Sequence, residues 1–248
     1  MSAGNFRPHG LNALGDLLGD GLPDLVFSGA SPSSETGLLL SLDGTVRWGF
    51  EHRDTVEAEP LENGRQFPVP HPGRTFVVSS SGANLGATAF DSAPTGPNAG
   101  DDLCVDSGNV LILQDSLEPT QSTPGIFDDP HDDPDAGLLA FDFPRRIRAF
   151  SIDLADIDPF PYEGATVTLI DEQGRTRLYD VPAGWTGPFR ASHIRTLALD
   201  TLADQAGAGP YPALAYELPG FNPARVVRIE VELFDGGALD NLRYDPYP

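Results

Sequence analysis

The chain has 248 residues, of which 27 are Gly and 24 Pro, with 40% hydrophobic residues including 14 Phe, 6 Tyr and 2 Trp. So many backbone punctuators exclude a helical bundle or a coiled coil, and the apolar content is enough for a packed core and excludes a disordered chain. A net charge of −22, from 37 acidic and 15 basic residues, repels nucleic acid and anionic lipid over the whole surface, so no nucleic-acid partner is expected.

The N-terminal part reads as a short helix at residues 11–18, then a hairpin of residues 38–42 and 45–50 around Asp43-Gly44, a dipeptide that supplies positive φ in a tight turn. The Pro- and Glu-rich stretch 55–73 follows, so residues 1–69 are read as an extension and residues 70–248 as the main domain. Strands are expected there near 75–79, 87–90, 110–113, 138–143, 149–154 and 197–200, and a second hairpin joins 167–170 to 176–179. Residues 226–233 alternate Val227, Ile229, Val231 and Leu233 with Arg228, Glu230 and Glu232, the period of a strand with one wet face; 239–244 is the last strand. The predicted fold class is all-β, a jelly-roll-like antiparallel β-sandwich with a small N-terminal extension.

No apolar run approaches the ~18 residues that would span a bilayer, so no membrane insertion is expected. The first residues lack the charged and apolar regions of a signal peptide, which suits an intracellular chain or a mature secreted one. A lone Cys104 allows no internal disulfide and reads as a small buried hydrophobe.

All 15 basic residues are Arg, and 26 of the 37 acids are Asp, the short carboxylate common in Ca²⁺ loops. Residues 128–135 pack five Asp into eight positions, among them Asp128 and Asp132, while Asp101 and Asp102 form a second cluster. Ca²⁺, with six to eight oxygen ligands, is the cofactor such density suggests, and a solvated acidic surface suited to a salty habitat is the alternative. Near the N-terminus, Asp16, Asp20 and Asp24 hold positions one, five and nine of a Ca²⁺-type loop with Gly21 at six. That loop resembles the calcium loop of FG-GAP repeats, although Leu18 takes the third ligand position and a single copy is present.

Five strings in a fixed order, residues 90–96 with 101–103, then 108–114, 137–143, 150–158 and 237–244, carry a broader resemblance. They are similar to the uncharacterised extracellular β-sandwich modules of secreted bacterial proteins, many of which precede a PEP-CTERM sorting anchor. No such anchor motif stands at the end of this sequence. The ending Leu239-Asp240-Asn241-Leu242-Arg243-Tyr244 resembles the last strand of jelly-roll carbohydrate-binding modules, which implies a structural calcium on Asp240. Asp91, just after an early strand, is the expected co-ligand; a turn-capping role for Asp240 is the alternative.

Enzyme motifs are missing: there is no H-E-x-x-H, G-x-S-x-G or phosphate loop, and Asp153, Asp156 and Asp158 qualify as glycosidase carboxylates only because the sequence is so acidic. Trp185, Phe189 and Tyr211 lie in long loops, where flat rings can stack on sugars; a plug in the end of the sandwich is the other reading of Trp185. The expectation is therefore a non-catalytic, extracellular or cell-surface module, stabilised by calcium, whose partner is a polysaccharide or cell-surface glycan. A self-associating structural surface protein is the first rival and a carbohydrate-active hydrolase or lyase the second.

Overall fold

The computed structural model describes residues 7–13, 24–31, 34–35, 38–41, 46–48, 63–66, 77–99, 103–132, 134–135, 137–159, 164–188 and 193–246, with backbone alone up to residue 48. Those residues contain no helix, and every strand pairing is antiparallel, so the fold is all-β and sandwich-like. The strands are β1 (Arg7–Ala13), β2 (Asp24–Ser31), β3 (Ser34–Glu35), β4 (Leu38–Ser41) and β5 (Val46–Trp48), then β6 (Val77–Gly82), β7 (Ala87–Asp91) and β8 (Asn109–Leu113). They continue as β9 (Gly137–Ala155), β10 (Ala165–Asp171), β11 (Thr176–Val181), β12 (Ile194–Ala198), β13 (Leu214–Glu217), β14 (Val226–Leu233) and β15 (Ala238–Pro246).

One group of strands runs β6, β9, β14, β10, β11, β13; the second runs β7, β8, β15, β9, β12. Strand β9 belongs to both, because its first part pairs with β6 and β14 and its second with β12 and β15. The two strands expected at 138–143 and 149–154 are thus one. Through Leu242–Tyr244, β15 also takes up β5 and with it β4, β2 and β1. The expected hairpin at 38–50 is present as β4 and β5. The helix expected from residue 11 is not: Arg7–Ala13 is β1, whose backbone bonds to β2, and residues 14–18 lie outside the described set. Partner strands supply the hydrogen bonds there, which outweighs a weak local propensity.

Alternation builds the core. Val167 and Leu169 of β10, Tyr179 of β11, Leu139 and Phe141 of β9, and Ile229, Val231 and Leu233 of β14 point inward and are at most 1% exposed. Phe143 meets Tyr244 edge to face at 5.2 Å, tying β9 to β15. A smaller cluster of Phe90, Val110, Ile112 and Leu103 covers the other face of β7 and β8, so that sheet is buried on both sides.

The β10–β11 turn shows how the chain uses its aspartates. Asp171 has a fully buried side chain; Oδ1 accepts the N–H groups of Gln173 and Arg175, and Oδ2 accepts those of Asn222 and the Arg175 side chain. Gly174, at φ +74°, supplies the left-handed residue that closes the turn. Burial pushes the carboxyl up, but the Arg175 guanidinium and three backbone N–H groups outweigh it and hold Asp171 below its usual 3.8. A depressed carboxyl contributes stability that is present above its unfolded value and lost as pH falls through its folded value. Asp171→Asn should therefore cost about 3 kcal/mol in urea unfolding at pH 7, and the gap from wild type should close as the pH drops below about 4.

Candidate functional site

The residues expected to bind calcium fall into separate places. In β7, Asp91 lies opposite Asn109, and in β15 Leu239 lies opposite Leu111, so all of β8 separates Asp91 from Asp240. Two strand spacings amount to about 10 Å. Phe90 faces the smaller cluster and Leu239 the main core, so alternation turns the two aspartates to opposite faces of the sheet. The expectation that they share one ion is corrected by that parity.

Each carboxylate instead serves its own turn. Asp91 Oδ1 accepts the Ala93 N–H at 3.0 Å. Asp240, 1% exposed, accepts the Ser107 hydroxyl at 2.7 Å and both the backbone and side-chain N–H of Asn241. Asn241 sits at φ +46° and donates its amide onward to Asp153, whose second oxygen takes the Thr196 hydroxyl at 2.5 Å. Asp153 is thus held by two donors at the junction of β9, β12 and β15.

In the 128–135 loop, Asp128 takes the N–H and hydroxyl of Ser122, and Asp132 takes the Gly237 N–H at 2.9 Å, fastening the loop to the β14–β15 turn. A Cβ on Gly236 would collide with the Asp132 carboxylate, which would have to move from its bond to Gly237. Asp156, at φ +57°, and Asp158 are buried in the loop after β9, beside that turn. No group of three or more potential metal ligands converges among the described residues. Asp16, Asp20, Asp101 and Asp102 lie outside them, and Asp24 opens β2, described as backbone.

The aromatic candidates separate as clearly. Trp185 is 1% exposed: its indole N–H donates to the Gln205 carbonyl, Arg195 lies 5.8 Å from the ring, and Gly207 packs against its edge. It is the plug, not a stacking platform, because the loop after β12 folds over it. Phe189 lies outside the described residues. Tyr211 is 68% exposed and Tyr216, another ring beside the long loops, is 54% exposed; sequence reading missed the exposed Leu218 (52%) next to it. The missed signal was β13 itself, a four-residue strand at the end of the β6–β13 group with Tyr216 opposite Leu178 on the outer, wet face. Arg177 anchors it: the buried guanidinium bonds Glu217 at 2.6 Å and the Leu199 carbonyl, and lies 5.0 Å from the Phe221 ring.

No family model matches the chain, and no curated protein does. Three solved chains match; among them is an agarase, AgWH50C, at 12% identity over 46% of this chain and 19% of its own, with a TM-score of 0.28. The chain spans about a fifth of that enzyme, and a likeness so slight carries no argument about activity.

The burial of Trp185 gives a direct test. Trp185→Ala should lower unfolding stability by about 3–5 kcal/mol, and the loss should be read in urea unfolding at fixed pH.

Proposed function

We propose that this chain is a non-catalytic β-sandwich binding module of the extracellular space or cell surface, with carbohydrate as its ligand class and calcium as a stabilising ion. The observation that carries the reading is the pair Tyr216, on a strand that Arg177 fixes in place, and Tyr211, in the loop leading into it, two large rings more than half exposed with the exposed Leu218 just after the strand. Rings with an apolar body and a polar tip suit the faces and hydroxyls of sugars. Five positions of chain put the two at most about 17 Å apart, within reach of a short run of sugar units. Support for calcium comes from the density of Asp in residues 128–135.

The rival reading, a self-assembling surface protein, is favoured by one observation: among the described residues β13 pairs with no strand but β11 and ends its row of strands. An open edge is a template for a second copy. Affinity electrophoresis through a panel of soluble polysaccharides should retard the wild type, and Tyr211→Ala with Tyr216→Ala should abolish the retardation while leaving the melting midpoint in place. No retardation by any glycan, together with concentration-dependent light scattering, would transfer the assignment to the rival. For calcium, the melting midpoint should rise from EDTA to millimolar Ca²⁺ at constant ionic strength, by up to roughly 2.7 kcal/mol at a hundredfold excess over Kd. An unchanged midpoint would remove the ion from the proposal.

A further inference from the structure

The cations of this acidic chain are not spread evenly. Among the arginines whose side chains are described, Arg145, Arg146 and Arg148 alone are exposed, and they lie together where β9 bends; the rest are half-buried or buried. Neither Arg145 nor Arg148 forms an ion pair among the described residues, while Arg146 and Arg225 share one carboxylate, that of Glu172. Arg148 and Arg243 lie over the ring of Phe150, 5.2 and 5.5 Å from its centroid. Stacking restrains the guanidinium planes, so less freedom is lost when their forks meet a planar anion. Alternate residues of a strand lie about 7 Å apart on one face, so Arg146, Arg148 and Phe150 form a row instead of a point. A row suits an anion with charges repeated along its length.

We propose that this row binds the charged groups of an acidic polysaccharide, carboxylates or sulfates carried at intervals on a chain. The proposal rests on the carbohydrate reading and extends it from a class to an acidic member of that class. Continuity supports it: Glu172, which the row's Arg146 grips, belongs to the same turn as Arg175, and Leu218 beside the exposed tyrosines bonds to Thr176 just after that turn. A glycan lying along the tyrosine edge reaches the arginines by crossing one turn. The net charge of −22 opposes every polyanion at long range, but at 0.15 M salt the field decays over ~8 Å and contact charges dominate. Duplex DNA, with one charge per ~1.7 Å, is repelled far more than a sparsely charged polysaccharide.

The test is affinity electrophoresis and titration at 0.15 M salt with polygalacturonate, dextran sulfate, neutral dextran, a neutral β-glucan and duplex DNA. The wild type should be retarded by at least one acidic polysaccharide and not by DNA. The double variant Arg146→Ala with Arg148→Ala should weaken that binding at least tenfold, Arg148→Ala alone should weaken it with an unchanged melting midpoint, and Arg148→Lys should weaken it less. Binding to neutral glycans that the double variant leaves intact, with none to the acidic ones, would overturn this proposal and leave the carbohydrate reading standing. Absence of binding to every glycan would overturn both. Equal retardation by DNA, or self-association that the double variant abolishes, would also overturn it, the latter by making a second copy the occupant.

Discussion

The 19 residues of β9 must satisfy hydrogen bonds with four partners, β6 and β14 along residues 137–142, β12 along 151–155 and β15 along 147–155. No single flat sheet accommodates that. The register against β14 jumps from Asp142 opposite Arg228 to Ile147 opposite Val226, so four residues of β9 face one of β14. Pro144 lies in this bulge, where its missing N–H costs no ladder bond, and the strand bends there and crosses to the second sheet. The two faces of the core, the placement of the final strand and the closure of the sandwich all follow from this crossing. So does the exposure of Arg145 beside the row: the bulge breaks alternation and turns Arg145 and Arg146 outward together, where a regular strand would have turned one of them in.

The abundance of Asp has an explanation within the fold. Asp91 accepts the N–H of Ala93, Asp115 that of Leu117 and Asp171 that of Gln173, the same two-residue reach in three turns. Asn84 and Asn222 do likewise toward Gly86 and Ala224. A short carboxylate or amide mimics a backbone turn at this distance, and the longer Glu does not. Long loops between short strands need many such turns, so a chain of this architecture collects Asp for structural reasons before any metal enters. Repulsion among the remaining charges is offset locally by guanidinium groups, as where Arg228 joins Asp142 and Glu230 across β14.

Buried and exposed rings divide the roles of the aromatic residues. Trp185 and Tyr179 lie beneath the loop after β12, their polar tips bonded to the carbonyls of Gln205 and Thr201, so that loop is pinned from below. The loop so pinned leads into β13, with Tyr211 before the strand and Tyr216 on it. The burial of one set therefore positions the exposure of the other.

What the sequence determined was the set of strands with their own local signals. Residues 229–233 alternate strictly, and residues 165–181 carry two strands around a turn in which Asp and Gly are required by geometry; both were readable because the signal lies within a few residues. The all-β class followed from the same local facts. Tertiary structure decided the rest. Helix or strand at residues 7–13 depended on a partner strand, the pairing of Asp91 with Asp240 depended on parity across β8, and Trp185 in the core depended on a loop about twenty residues downstream. Composition and spacing record which side chains a segment owns; burial and the face a residue occupies are set by which other segments pack against it, and that information is not local to any stretch of the chain.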